Sequence, residues 1–376
     1  FRVVVAYYWS LIASMLRVSI ATQDRGEIPV NMYTLNLSTS GSGKGFSTNI
    51  MEKEVIAAFR KRYTEEAFSA KAEINLNKLA SRKAARTGNA PEDEKKKYDK
   101  EFAECGPLLF SFDSGTPAAV KQMRHKLLLA DAGSLNLQID EIGSNLIGNV
   151  DILNTFLELY DVGAIKQKLV KNTAENSRSE EIVGLTPTNM LLFGTPSKLL
   201  NGGKTEEEMY SMLETGYARR CFFGYSKTSN IMHDLTATEV FDMLTNPASN
   251  QFITDLSDQL ELLADAVNMN KKLVMQKPTS VLLIEYKMRC EKIARELPEH
   301  EEMKKAEISH RYFKALKLAG AYAFIDDSPE VTEDHIYYAI CLAEESGEAF
   351  NNILTRDRPY VKLAKYIATC RRDVTQ

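Results

Sequence analysis

Bulky apolar residues recur at helical spacing through the first eighteen positions, with Val4, Tyr8, Leu11 and Met15 in one row. This predicts a packed leading helix, and residues 1–27 are expected to form an N-terminal collar element. The run IPVNMYTLNL, Ile28 to Leu37, is short, apolar and alternating, which predicts a strand. A glycine-rich loop follows, then a long helical run from about Phe46. From Thr64 to Lys100 the composition turns strongly charged, so residues 64–104 are expected as a solvated helical insertion. PLLFSF after Cys105 predicts another strand. Thr116-Pro117 then opens a helix, since proline suits the first helical position. SLNLQIDEIGSN reads as a strand ending in two acids, and Val150 to Tyr160 as a helix. Residues 164–185 read as a hairpin around a polar turn. NMLLF, Asn189 to Phe193, is a buried strand stopped by Gly194-Thr195-Pro196. Beyond Gly224 the pattern is mostly helical.

Strands alternating with helices, followed by a helical tail, predict an α/β fold. The expected architecture is a parallel sheet flanked by helices over residues 28–226, with a C-terminal α-helical lid over 227–350. Residues 351–376 are expected to link to a further C-terminal module. The chain begins at Phe1 inside an apolar run and stops at RRDVTQ, so it is expected to be a piece of a longer polypeptide.

Composition changes this picture little. Of 376 residues, 44% are apolar and 26% charged, as in an ordinary folded protein. A net charge of -4 gives no whole-chain case for nucleic-acid binding, which would need a local basic feature. The five cysteines, Cys105, Cys221, Cys290, Cys341 and Cys370, form no C-x-x-C pair. They read as reduced thiols in a cytoplasmic protein, without a zinc site. No stretch reaches about 18 uninterrupted apolar residues, so no membrane partner is expected.

The candidate chemistry sits in the loops. TLNLSTSGSGKGFST, Thr34 to Thr48, approximates the phosphate-binding pattern G-x-x-x-x-G-K-[ST]. Gly43-Lys44 is in place, but Ser38 replaces the early glycine and Gly45 replaces the hydroxyl residue. Glycines let the backbone curl around an anion at a helix N-terminus. The candidate nucleotide-binding residues are Ser40, Gly41, Ser42, Gly43, Lys44, Gly45, Phe46 and Ser47. Roughly 100 residues after the loop, LNLQIDE pushes Asp140 and Glu141 out of the C-terminal end of a strand, where ligands sit in open α/β sheets. Asp140 is the candidate Mg²⁺ ligand and Glu141 the base that activates water. Without a hydroxyl at Gly45, the metal would be held largely through water, with Ser47 or Thr48 in reserve. Thr195 could contact the γ-phosphate or the attacking water, with Asn189 a weaker candidate. In GYARRCFFGY, Arg219 and Arg220 are candidates to stabilise phosphate charge from a neighbouring subunit. Lys166, Lys168 and Lys171 in the hairpin could face nucleic-acid phosphates. A protected, lysine-bearing edge strand is an equally good reading of them. Nucleoside monophosphate kinases also carry Gly-Lys-Gly, but their loop lies near the chain start and lacks this sequel.

Taken together, the loop, the Asp-Glu strand, the polar-tipped strand and the arginine-aromatic segment resemble the AAA+ ATPases. SFDSGTPAAVKQM, LNLQIDEIGS and MLLFGTPSKLL resemble the helicase half of phage and plasmid primase–helicase proteins. Ile308 to Ser346 is similar to the lid of MCM-type replicative helicases. The resemblance implies a P-loop AAA+ core using ATP and Mg²⁺. It also implies a homo-oligomeric ring, expected as a hexamer, moving along single-stranded DNA, with a primase module in the same polypeptide. It makes Arg311 the lid arginine, Arg220 the finger and Arg219 its reserve, and it gives the lysine hairpin a place in the central pore. The expected activity is ATP-dependent DNA unwinding in phage or mobile-element replication. An ATP-driven loader or remodeller of proteins is the alternative, and a nucleotide kinase a more distant one.

Overall fold

The computed structural model describes residues 1–39, 44–145, 150–165, 184–226, 235–355 and 359–370 of the 376-residue chain. Its strands are β1 Ser19–Thr22, β2 Gly26–Pro29, β3 Tyr33–Ser38, β4 Leu135–Ile139, β5 Thr188–Gly194, β6 Cys221–Ser226, β7 Lys272–Met275 and β8 Glu330–Val331. Strands β4-β5-β3-β6 form one sheet in that order, parallel throughout. Strand β5 is buried at every position, as expected of a strand covered on both faces. Helices flank this sheet, so the fold is mixed α/β with helix predominant.

A second, smaller sheet has the order β2-β1-β7-β8. Strands β1 and β2 form an antiparallel hairpin, and β1 pairs in parallel with β7. Ser19 stands opposite Lys272, so this sheet ties the N-terminal hairpin to strands of the C-terminal third. The expected single strand from Ile28 to Leu37 is therefore two strands belonging to different sheets. The chain crosses between them at Val30–Met32. Asn31 turns inward there, and its side-chain amide donates to Tyr160 O at 3.1 Å and Thr188 O at 2.8 Å.

The leading helix, Arg2–Met15, is packed into the core. Only Arg2, Val5 and Trp9 of its residues escape full burial. It packs against β5, β3 and the long helix Glu302–Ile325. That long helix and the next, Glu333–Leu354, are buried in the same apolar core as the sheet. One core thus runs through the spans expected as collar, α/β unit and lid. Thr332 caps the last of these helices, its hydroxyl accepting from His335 N at 3.4 Å.

The charged stretch forms a helical hairpin, Phe68–Thr87 and Pro91–Glu104. The first helix buries Phe68, Ala72, Leu76, Ala80 and Ala84, one residue per turn, and ends at Gly88 in a left-handed conformation. PLLFSF is not a strand. Only Phe112 bridges to β4, opposite Leu137, and Leu109 points to solvent. Among the described residues, no helix is long and apolar enough to cross a membrane.

Lys317 lies at the crossing between the two sheets. Its Nζ donates to Pro29 O at 3.1 Å, Asn31 Oδ1 at 2.6 Å, Tyr160 O at 2.9 Å and Asp161 O at 3.0 Å. It also lies 4.8 Å from the Tyr160 ring centroid. Burial pushes its amine down from 10.5 to about 7, against the pull of Asp161. A value lower in the folded than in the unfolded chain means fewer bound protons when folded. Stability therefore rises with pH between about 7 and about 10. Replacing Lys317 by Met removes the donor shared by four acceptors, of which Tyr160 O keeps the Asn31 amide, and is expected to cost about 3 kcal/mol or more. In urea melts, the stability gap between wild type and Lys317→Met should widen from pH 7 to pH 10. A constant gap would refute the assignment.

Candidate active site

In the main sheet Ile139 stands opposite Leu192, Leu192 opposite Leu35, and Gly194 opposite Leu37. The C-terminal ends of β3, β4 and β5 therefore finish together, and such an edge is where α/β sheets take ligands. Asp140 and Glu141 leave β4 there, with Asp140 exposed and Glu141 half-buried. Thr195 leaves β5 beside them. Its hydroxyl donates to Glu141 Oε2 at 2.9 Å and its backbone N–H to Oε1 at 3.2 Å. One residue thus fixes both carboxylate oxygens. Lys198 Nζ lies 3.9 Å from Oε2. Glycine at 194 lets the strand tip pack closely, since a Cβ there would lie 2.2 Å from Leu199 Cδ1 and 3.0 Å from Leu37 Cδ2 and those side chains would have to shift.

Ser40, Gly41, Ser42 and Gly43 lie outside the described residues, as do the Lys44 side chain and Lys166, Lys168 and Lys171. The helix Lys44–Ile50 follows the loop. Gly45 has open space around it, with nothing within 4 Å of a Cβ built there. Its lack of a hydroxyl is therefore not forced by packing. Phe46 is exposed, while Ser47 and Thr48 are half-buried.

Two buried phenols of the leading helix underlie this edge. Tyr8 donates to Glu52 Oε1 at 3.0 Å, just beyond the Lys44–Ile50 helix. Tyr7 accepts from Gln138 Nε2 of β4 at 3.4 Å. Burial holds both phenols well above their ordinary value, and the charges of Glu52 and Asp140 push Tyr8 further. The loop helix and the acid strand are thus tied to one helix. Sequence reasoning missed Tyr7, Tyr8 and Glu52; the adjacent tyrosines inside an apolar helix were the available signal.

Arg219 and Arg220 lie at the opposite edge. Cys221 opens β6 opposite Tyr33, the first residue of β3, so both arginines stand at the N-terminal end of the sheet. They cannot share an edge with Asp140 and Glu141 of their own chain. Arg220, expected as a projecting finger, is buried. It donates to Asp161 Oδ2 at 3.1 Å and Gly216 O at 3.2 Å, and lies 5.7 Å from the Tyr160 ring centroid. Arg219 is half-buried, and desolvation followed by the Arg220 charge lowers its value.

Arg311 is held in an ion network. It meets Glu307 Oε2 at 2.7 Å and Glu344 Oε2 at 2.7 Å. Lys314 joins Glu307 at 2.8 Å and Cys221 O at 2.9 Å. Burial alone would raise Glu307, but Lys314 and Arg311 overcome it and hold the carboxyl below its ordinary value. Asn189 sits at the start of β5, away from Thr195. Its side-chain oxygen accepts from Met32 N at 3.0 Å, and its amide donates to Asn136 Oδ1 at 2.9 Å. That contact set is structural and corrects its candidacy as a phosphate contact. Among the described residues no cluster of three metal-ligating side chains is preformed.

No protein-family model and no curated protein matches this chain.

Asp161→Asn removes the counter-charge of a buried arginine whose Nε already lacks a partner. It should destabilise the chain by about 1–2 kcal/mol in urea denaturation. A variant as stable as wild type would show that Arg220 is not clamped.

Proposed function

We propose that this chain is an ATP-hydrolysing motor of the AAA+ type, a ring-forming DNA helicase of phage or mobile-element replication. The observation that carries the reading is the carboxylate of Glu141, held at both oxygens by Thr195, at the aligned ends of β3, β4 and β5. Strand β3 leads into the Gly-Ser-Gly-Lys loop, so a phosphate held there would lie on the same edge. Lys44 binds the phosphates. Exposed Asp140 is the residue suited to hold Mg²⁺, with Ser47 and water completing the set. When bound, that ion would neutralise charge developing on the phosphates. Glu141 orients the attacking water and accepts its proton. Thr195 sets the direction of that carboxylate in addition to any contact with phosphate.

Hydrolysis between subunits fits the placement of Arg219 and Arg220 on the far edge, since an arginine there serves a neighbour's site. Of the two, Arg219 is the better finger, because Arg220 would first have to abandon Asp161. Arg311 is likewise engaged by two carboxylates, and its service as a lid arginine requires that network to open. The lysine hairpin would grip single-stranded DNA in the pore.

A protein remodeller on the same core is the second reading. It is favoured by the helices Ala237–Leu244 and Pro247–Leu263, where Phe241 is 64% and Phe252 67% exposed. Lysine-to-alanine changes at Lys168 and Lys171 separate the two readings. Lost DNA binding supports the helicase, whereas intact DNA binding with a lost protein contact supports the remodeller.

ATPase rates with and without single-stranded DNA test the proposal. Lys44→Ala should abolish hydrolysis. Glu141→Gln should lower kcat by about 10²-fold or more while nucleotide binding persists. An assembled ring whose rate ignores single-stranded DNA would count heavily against the helicase. Gly45→Ser fits the open space and should lower the Mg²⁺ concentration needed for half-maximal rate by a few-fold, about 1 kcal/mol or less of binding. An unchanged Mg²⁺ requirement would place the missing ligand elsewhere.

A further inference from the structure

The helix Phe68–Thr87 carries five basic residues and one acid, in a chain whose net charge is -4. Its buried row, Leu76, Ala80 and Ala84, faces the second helix of the hairpin and the body. Lys78, Arg82 and Arg86 repeat that spacing two residues later. Two residues turn a helix by about 200°, so they stand on the opposite face. All three are exposed. Several other cations of the hairpin are matched. Lys95 meets Glu73 at 2.9 Å and Asp99 at 3.1 Å, Lys97 meets Glu94 at 2.8 Å, and Lys83 lies 5.5 Å from the Tyr98 ring centroid. Lys78 and Arg82 have no ion-pair partner among the described residues.

The row is also held rigidly. Asn75 donates to Leu129 O at 2.9 Å, and Lys71 lies 3.7 Å from Asp131. Four residues of helix rise about 6 Å, so the cations form a straight line at that interval. Duplex DNA advances about 3.4 Å per base on each strand, so neighbouring cations span about two steps of a straight rod. Single-strand binders rely on aromatic platforms, and none is exposed along this row; its one apolar member is Ile74.

We propose that the Lys78–Arg82–Arg86 face is a binding surface for the phosphate backbone of duplex nucleic acid, without base specificity. It uses no residue of the 164–185 segment and does not depend on ATP hydrolysis by this chain.

The test is fluorescence anisotropy of the full chain with a 20-base-pair duplex, a dT oligonucleotide and phosphatidylserine vesicles, over a salt series. Lys78→Gln/Arg82→Gln should weaken duplex binding about tenfold near 100 mM salt and flatten the log–log salt slope by about 2. Lys96→Gln/Lys100→Gln, which removes the same charge from residues paired within their own helix, should leave duplex binding unchanged. Helical circular dichroism and the melting temperature of both variants should match wild type, since all four side chains are exposed. The proposal is overturned if the duplex slope does not change or if both double variants weaken it equally. It is equally overturned if the loss appears on dT or on vesicles and not on duplex.

Discussion

The ammonium of Lys317 is the contact on which the fold most depends. It lies where the chain leaves one sheet and enters the other, and it gathers oxygens from β2, from the crossing and from the end of the helix Val150–Leu159. Three of those oxygens are backbone carbonyls, which no side-chain rotation can redirect. Buried carbonyls without donors are costly, and an apolar replacement supplies none. The helix Glu302–Ile325, which carries Lys317, also carries Lys314 one turn earlier, and through Glu307 and Arg311 the polar layer reaches Glu344. The C-terminal helices are therefore bound to the sheet by directed contacts as well as by apolar packing. Breaking such a buried network by removing one partner is costly, because the partners left behind stay buried without their counter-charge.

This layer lies at the N-terminal edge of the main sheet, where β3 and β6 begin. The C-terminal edge is built differently. Its acids are half-buried or exposed, and Glu141 is oriented by a neighbouring strand tip, with Lys198 Nζ 3.9 Å away. Rigidity at one edge and accessible acids at the other suit a sheet that must hold its strand ends in register while a ligand comes and goes. The leading helix connects the two regimes. Ser14 reaches Asn189 at the closed edge, while Tyr8 and Tyr7 reach Glu52 and Gln138 at the open one.

Much of this was legible because the signals were local. The apolar runs of β3, β4, β5 and β6, the Thr116-Pro117 helix start and the acids after LNLQI each lie within a few neighbouring residues. What sequence could not supply was pairing at long range. Strands β1, β7 and β8 are two to four residues long, and β1 meets β7 across most of the chain. No periodicity survives in segments that short. PLLFSF failed for the opposite reason: it has strand composition, but nothing beyond Phe112 pairs with it. Lys314 and Lys317 were readable in principle, as two lysines three apart within the otherwise apolar stretch Tyr312–Ile325, where a charged group needs partners.

The arginines show the limit most clearly. Arg219 and Arg220 are adjacent and chemically identical, and sequence favoured Arg220 on resemblance alone. Their partners differ, since Asp161 engages Arg220 from a loop far away in sequence. A residue that stabilises a neighbour's transition state must reach outward, and any contact it already makes is subtracted from what it gains on arrival. Arg220 would forfeit a charge-assisted bond, a carbonyl contact and the face of Tyr160. Arg219 is partly desolvated, and its nearest charge of like sign raises its energy at rest. On the proposed reading, the same substitution made at each position should therefore act on different properties: stability at Arg220, turnover in the assembled ring at Arg219.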